Sequence, residues 1–256
     1  MSPQRMAGQI VEARYETKCA SCPLRNKPLF TPFTPDQVRF MEQFKVGEMS
    51  VEPGTPLLSE GSSTPQLYTA LSGMGLRYKT LPDGDRQVIS FVMPGDFIGM
   101  QAGVMGEMQH SVEATTSMLL CVFDRTSLWT LFRDEPARAF DLTWIAAVEE
   151  RMLGESLASL GQMSGAERTA WAIVRLYRQL SALGLRVDDA VPLPYRQQDL
   201  ADALGLSLVH TNKTLATLRR KGLAEWRDGK LRVMDINGLA KIAGIDPEGA
   251  PVRPLM

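Results

Sequence analysis

The sequence predicts an α+β chain in three parts: a glycine-punctuated all-β sandwich or barrel, one long helix, and a winged helix-turn-helix at the C-terminal end. Three observations carry this. Gly61, Gly73, Gly84, Gly95 and Gly106 recur at steps of 12, 11, 11 and 11 residues between short apolar runs, the rhythm of turns in an all-β domain. Beyond Arg133 the period becomes helical, with Phe140, Ile145, Val148, Met152, Leu157 and Leu160 along one side. Two short helical patterns then meet at Gly205, and two strand-like runs joined at Asp228-Gly229 follow them.

Taken in order, residues 1–18 are polar and mixed in charge and read as a flexible arm. Residues 19–132 form the all-β domain, opening on the segment Cys19-Ala20-Ser21-Cys22. Within it Thr34-Pro35-Asp36-Gln37 reads as a helix start, with Thr34 as cap and Pro35 in the first turn. Asp83-Gly84 makes a hairpin tip. The helix over 133–162 has an apolar stripe broader than one neighbour needs, so it is expected to dimerise. Residues 163–245 form the winged-helix unit, opening on the capping box Ser164-Gly165-Ala166-Glu167 and a stripe of Ala170, Ile173, Val174, Tyr177 and Leu180. The Pro- and Gly-rich stretch 246–256 is expected to be a flexible tail.

In the helix-turn-helix, Leu200, Ala203 and Leu204 lie on the first helix, Gly205 permits the bend, and Ser207 caps the second helix. Thr211, Leu215 and Leu218 should face inward, leaving Val209, His210, Lys213 and Thr217 outward, with Arg219-Arg220-Lys221 closing the helix. Between Tyr195 and Met234 there are eight Lys or Arg against four acids, in a chain whose net charge is −1. Such a local excess is the footprint expected of a surface that neutralises DNA phosphates.

Composition narrows the alternatives. At 256 residues the chain can form two modest domains, each with its own core, and 44% hydrophobic with 22% charged residues is ordinary for a globular protein. No apolar run approaches the roughly 20 residues a membrane span needs, and the first residues lack a signal-peptide core, so a cytoplasmic protein is expected. Three cysteines make a poor disulfide framework. Two histidines, His110 and His210, argue against histidine-based catalysis and a Ser-His-Asp triad. A cupin-type β-barrel enzyme would need a cluster of His and carboxylate ligands that one histidine in the β region does not supply.

Val51-Glu52-Pro53-Gly54 with Glu60-Gly61, Leu71-Ser72-Gly73, Pro94-Gly95-Asp96-Phe97-Ile98-Gly99, and Gln198-Asp199-Leu200-Ala201 with Leu204-Gly205-Leu206-Ser207 occur in one order. In this the chain resembles the CRP/FNR family of bacterial transcription regulators from about Cys19 to Gly244, and the resemblance implies that the all-β part is a cyclic-nucleotide-binding-like β-roll, a double-stranded β-helix. The resemblance implies a homodimer on a palindromic double-stranded operator, its recognition helices about 34 Å apart in successive major grooves, with RNA polymerase as a further partner. It implies a signal sensed in the β-roll; a regulator without an effector, its β-roll a scaffold, is the alternative.

Two departures from the family pattern matter. Where the cyclic-AMP-binding branch has a ribose-binding glutamate and a phosphate-binding Arg-Ser pair, this chain has Met100, followed by Gln101, and then His110 and Ser111. Loss of the arginine removes a charge-assisted contact of about 1.5–3 kcal/mol, so cyclic AMP is not expected as the effector. Second, Cys19, Cys22 and Cys121 match three of the four cysteines that hold an iron–sulfur cluster in oxygen-sensing members, while the fourth, expected near Pro28, is absent. Three thiolates with a carboxylate or water on the fourth iron, or a remnant of an ancestral sensor, are both compatible with that pattern.

On the recognition helix the resemblance places Ser207 and His210 at phosphate-contacting positions, and Arg196 and Gln198 where the first helix crosses the backbone. Val209 stands where relatives have a glutamate and Lys213 where they have an arginine. Lys213 can reach a guanine edge and Val209 a thymine methyl, so the DNA half-site is expected to differ from the common one. Arg219 and Thr217 complete the candidate DNA-binding set.

Overall fold

The computed structural model describes residues 17–247 and 249–256. Nearly all of the arm expected at 1–18 lies outside the described residues. Helix α1 (Pro35–Phe44) starts as its sequence dictates: Thr34 accepts from the Gln37 backbone N–H, the Gln37 side chain accepts from the Thr34 N–H, and Pro35 fills the first turn. The chain then forms β1 (Lys45–Val51), β2 (Pro56–Leu58), β3 (Gln66–Ser72), β4 (Gly75–Thr80), β5 (Arg86–Val92), β6 (Phe97–Ile98), a short α2 (Met100–Met105), β7 (Ser111–Ala114) and β8 (Met118–Asp124).

These strands make two antiparallel four-stranded sheets, ordered β1-β8-β3-β6 and β2-β7-β4-β5. Alternate side chains, among them Met49, Leu58, Tyr68, Val92, Ile98, Val112 and Leu120, form one of the buried clusters of the roll. The five regularly spaced glycines all have positive φ, between 74° and 94°. Their rhythm therefore marks left-handed corners of the roll, which residues with a Cβ adopt at a cost. Asp83-Gly84 sits in the β4–β5 turn, closed by Gly84 N–H donating to the Leu81 carbonyl at 2.9 Å.

Helices α3 (Leu128–Asp134) and α4 (Pro136–Gln162) leave the roll. The stripe expected along α4 is covered only over the first turns of the helix. Ala139, Leu142 and Ile145 are buried in the cluster that holds Phe44, Phe97 and Phe123, whereas Phe140, Leu153 and Leu157 are exposed at 69%, 53% and 72%. The first turns of α4 lie on the roll, and beyond them Leu153 and Leu157 continue the same side of the helix as Leu142 with no cover, as a helix available to a second copy requires.

The C-terminal unit comprises α5 (Gly165–Ala182), β9 (Ala190–Pro192), α6 (Gln197–Leu204), α7 (Leu208–Arg220), β10 (Ala224–Arg227), β11 (Lys230–Val233) and α8 (Ile236–Ala243). Its sheet has the order β10-β11-β9, and the wing tip takes positive φ at both Asp228 (51°) and Gly229 (69°), the turn that suits a right-twisted hairpin. Among the described residues no helix is long and apolar enough to cross a membrane.

Two expectations fail. The two units do not keep separate cores: one buried cluster joins Met74, Leu76, Tyr78 and Met93 of the roll with Ile173, Tyr177 and Leu180 of α5 and with Leu24, Leu29 and Phe30 of the N-terminal segment. The tail expected to be flexible over 246–256 is instead docked: Pro254, Leu255 and Met256 are buried, and residue 253 makes a parallel bridge with Phe30. Its Pro and Gly content hid two apolar residues at the end of the segment, which supply burial that composition alone does not reveal.

Gly73 and Gly84 separate two costs of replacing a turn glycine. Both have positive φ, but a Cβ at Gly73 would stand 2.3 Å from the Ser117 carbonyl oxygen, while at Gly84 nothing lies within 4 Å. In urea unfolding Gly84→Ala should lose about 1 kcal/mol from backbone strain, and Gly73→Ala at least about 2 kcal/mol more. Equal losses would contradict the close approach.

Candidate nucleic-acid interface and sensor region

The candidate DNA-reading surface is built on α6 and α7. Helix α6 ends at Gly205 in the left-handed conformation (φ 59°), and Leu206 N–H returns to the Ala201 carbonyl at 3.0 Å. Arg168 of α5 fixes this corner by donating to the Leu204 carbonyl at 3.0 Å. Ser207 caps α7 by accepting from the His210 N–H at 3.2 Å. Thr211, Leu215 and Leu218 are buried, which locks the rotation of α7.

The outward face follows from that rotation. Val209 (79% exposed), Lys213, Ala216 and Arg220 lie at i, i+4, i+7 and i+11 and form one exposed row, flanked by Asn212 and by half-buried Thr217. Arg220 and Asn212 were missed by the sequence reading. Arg219 turns off this row toward the wing, 3.8 Å from the Glu225 carboxylate, whereas Arg220 donates to the Thr217 hydroxyl at 3.0 Å on the reading side. The helical spacing from Val209 to Arg220 was the signal that could have found it. His210 is exposed, but its imidazole lies against Gly165, where a Cβ would stand 2.5 Å from Nε2.

Around this row the charge is positive. Lys213, Arg220, Lys221 and, at the wing tip, Lys230 are exposed and make no ion pair among the described residues. Arg196 is 69% exposed but is held by Asp199 at 2.6 Å, and Gln198 donates to Asp202, so both flank the row on α6 with their side chains already oriented.

The residues expected to form an effector pocket are brought to one edge of the roll but are largely engaged with neighbours outside that set. Gln101 accepts from the Gln109 N–H at 3.0 Å, and the Ser111 hydroxyl accepts from the Glu60 N–H at 3.0 Å. Met100 packs on the cluster of Phe44, Leu67 and Phe97. His110 is held far below its ordinary range, at about 4, first by burial and then by Arg77 and Lys79, with Glu60 opposing. At neutral pH it is therefore an uncharged imidazole, not a substitute for a phosphate-binding cation.

Cys19, Cys22 and Cys121 are free thiols that line one apolar cavity of about 30 Å³, together with Lys45, Thr69, Leu255 and Met256. That volume holds little more than a water molecule. Burial pushes the Cys19 thiol up to about 11 and the Cys121 thiol up to about 12, with Lys45 opposing in both. An iron–sulfur cluster takes thiolates, and among the described residues no group of three or more Cys, His, Asp or Glu side chains is placed to hold a metal ion. In this arrangement the donors do not fit the cluster that the cysteine spacing implied, because Cys121 stands in a packed strand and the tail fills the space beside it.

Two family models match the chain: a cyclic nucleotide-binding domain over residues 48–135 and a Crp-like helix-turn-helix domain over 167–242. The nitrogen fixation regulation protein FixK of Rhizobium meliloti is 32% identical, over 72% of this chain and 80% of that protein. The transcriptional activatory protein AadR of Rhodopseudomonas palustris is 31% identical, over 72% and 75%. The solved structure of FixK2 from Bradyrhizobium japonicum superimposes with a TM-score of 0.70 at 24% identity, covering 76% of this chain and 96% of that one.

His110 generates a pH test. Its folded pKa lies below the value of about 6.5 in an unfolded chain, so below that pH the unfolded state binds more protons and stability is lost as pH falls from 6.5 toward 4. His110→Gln should flatten the slope by up to about one proton in that window in pH-dependent urea melts. A wild-type slope retained in the variant would contradict the buried, neutral assignment.

Proposed function

The chain belongs to the CRP/FNR family of transcription regulators, and from that premise we propose that it reads a palindromic operator as a homodimer, under a signal other than cyclic AMP. The observation that carries the reading is the exposed row Val209, Lys213, Ala216 and Arg220 with the unpaired cations around it. A recognition helix enters the major groove with its N-terminal residues at the base edges. Val209, Asn212 and Lys213 therefore read bases, while Arg220, near the other end, meets phosphate.

The uncovered second half of α4, with Leu153 and Leu157 exposed, supports the second copy. In this reading the partners are the operator, the second protomer and RNA polymerase at the promoter, and the compartment is the cytoplasm. Uncharged His110 offers the nucleotide phosphate no cation, which argues for another effector. A second reading has the β-roll as scaffold only, and the mutual hydrogen bonds of Gln101 with Gln109 and of Ser111 with Glu60 favour it. Binding of selected operator DNA by ligand-free protein as tight as in cell extract would establish that second reading.

The main test selects operators from a random DNA library and follows binding by fluorescence anisotropy. Lys213→Ala should cost about 1–3 kcal/mol and relax preference at one base position, whereas Arg220→Ala should weaken all sequences alike and reduce the salt slope by about 1. Uniform loss for Lys213→Ala would make it a phosphate contact. Calorimetry with cyclic AMP should show no binding at micromolar concentrations, and a micromolar Kd would overturn that part of the proposal.

A further inference from the structure

Residues 249–256 join the two units by a route the backbone does not otherwise take. At the root, Arg178 of α5 donates to the Asp246 carbonyl at 3.0 Å and to the Gly249 carbonyl at 2.7 Å, so the segment leaves from the DNA-binding unit. At the far end it is held by the β-roll and the N-terminal segment. Arg253 donates to the Asp96 carboxylate at 2.8 Å and lies over the Phe30 ring, 5.2 Å from its centroid. The backbone of residue 253 exchanges hydrogen bonds with its neighbours: Arg253 N–H donates to the Leu29 carbonyl at 2.8 Å, and Thr31 N–H donates to the Arg253 carbonyl at 2.9 Å. The Thr69 hydroxyl donates to the Met256 main-chain oxygen at 2.6 Å, in a site where Thr69 is buried.

Between these anchors Leu255 and Met256 are 4% and 5% exposed and stand in the wall of the cavity lined by Cys19, Cys22 and Cys121. Gly95 is shaped to the same contact: a Cβ there would lie 2.3 Å from the Phe30 ring and 3.2 Å from the Arg253 guanidinium. A charged group, a backbone bridge and two apolar side chains thus meet one prepared surface.

We infer that the three-thiol cavity of the β-roll is the docking site of the chain's own C-terminal segment, which acts as a clasp between the sensor and DNA-binding units. Leu255 and Met256 are its apolar occupants and Arg253 its polar lock. Whatever enters the cavity must displace them and so loosen the hold on α5; by linkage, anything that moves α5 away changes access to the thiols. The clasp does not depend on what α7 reads.

The test is site-resolved alkylation of the native full chain with N-ethylmaleimide, read by mass spectrometry. In wild-type protein Cys121 should label slowly. Leu255→Asp, which attacks the far end, and Arg178→Ala, which attacks the root, should each raise its rate by about 10-fold or more, the factor a lost charge-assisted hydrogen bond or buried apolar contact gives an opening equilibrium. Val252→Ser, at a residue 58% exposed, should leave the rate unchanged. Circular dichroism identifies a variant that has unfolded, in which case the other variant decides. Wild-type protection of Cys121 in both folded variants overturns the clasp.

Discussion

The structure depends on one buried cluster that two units share. Ala170, Ile173, Val174, Tyr177 and Leu180 of α5 are buried in a cluster that takes in Leu231 and Leu239 of the winged unit and Leu71, Met74 and Tyr78 of the roll. Tyr195 completes the junction: it is buried, packs its ring tilted at 58° against Phe91 with the centroids 4.6 Å apart, and donates its hydroxyl to the Val92 carbonyl at 3.0 Å. Fully burying each large apolar side chain contributes about 1.5–3 kcal/mol, so several shared across the junction outweigh the entropy of a loose linker. Packing, not the connection between α4 and α5, sets where the winged unit sits.

That placement has consequences for function. The corner of α6 is tied to β5 by Gln87, which donates to the Asp202 carbonyl at 2.6 Å, while α7 faces outward with Lys213 and Arg220 exposed and, among the described residues, outside any ion pair. A regulator that must present two recognition helices at a fixed separation gains from such a seat, since the symmetry of the dimer then passes to the DNA-reading face. The same junction gives a sensor something to act on: a small shift in the roll reaches α6 and α5 through packed side chains with no slack between them.

Much of this was legible in the sequence because local rules and tertiary needs agree. Gly205 before Ser207, Asp228-Gly229 at the wing and the Ser164 capping box each name one backbone geometry, and each forms as expected. What was not legible depends on partners distant in sequence. Nothing in the Pro- and Gly-rich tail announces that Arg253 will meet Asp96, and Ile145 and Phe140 share one apolar stripe until the roll covers only one of them. The cysteine spacing named a ligand set, but Cys121 lies in a packed strand and its surroundings raise the thiol pKa. Arg219 and Arg220 are neighbours in sequence, and only the buried positions Thr211, Leu215 and Leu218 decide which of them joins the exposed row of α7.

The claim that one core joins the sensor and the DNA-binding unit is tested most directly by native-state hydrogen exchange as a function of urea. The account predicts that amides of 173–180 in α5 and of 119–122 in β8 open with the same free energy and the same urea dependence, as parts of one cooperative unit. Opening of α5 at clearly lower free energy and with a smaller slope, while β8 stays closed, would contradict it.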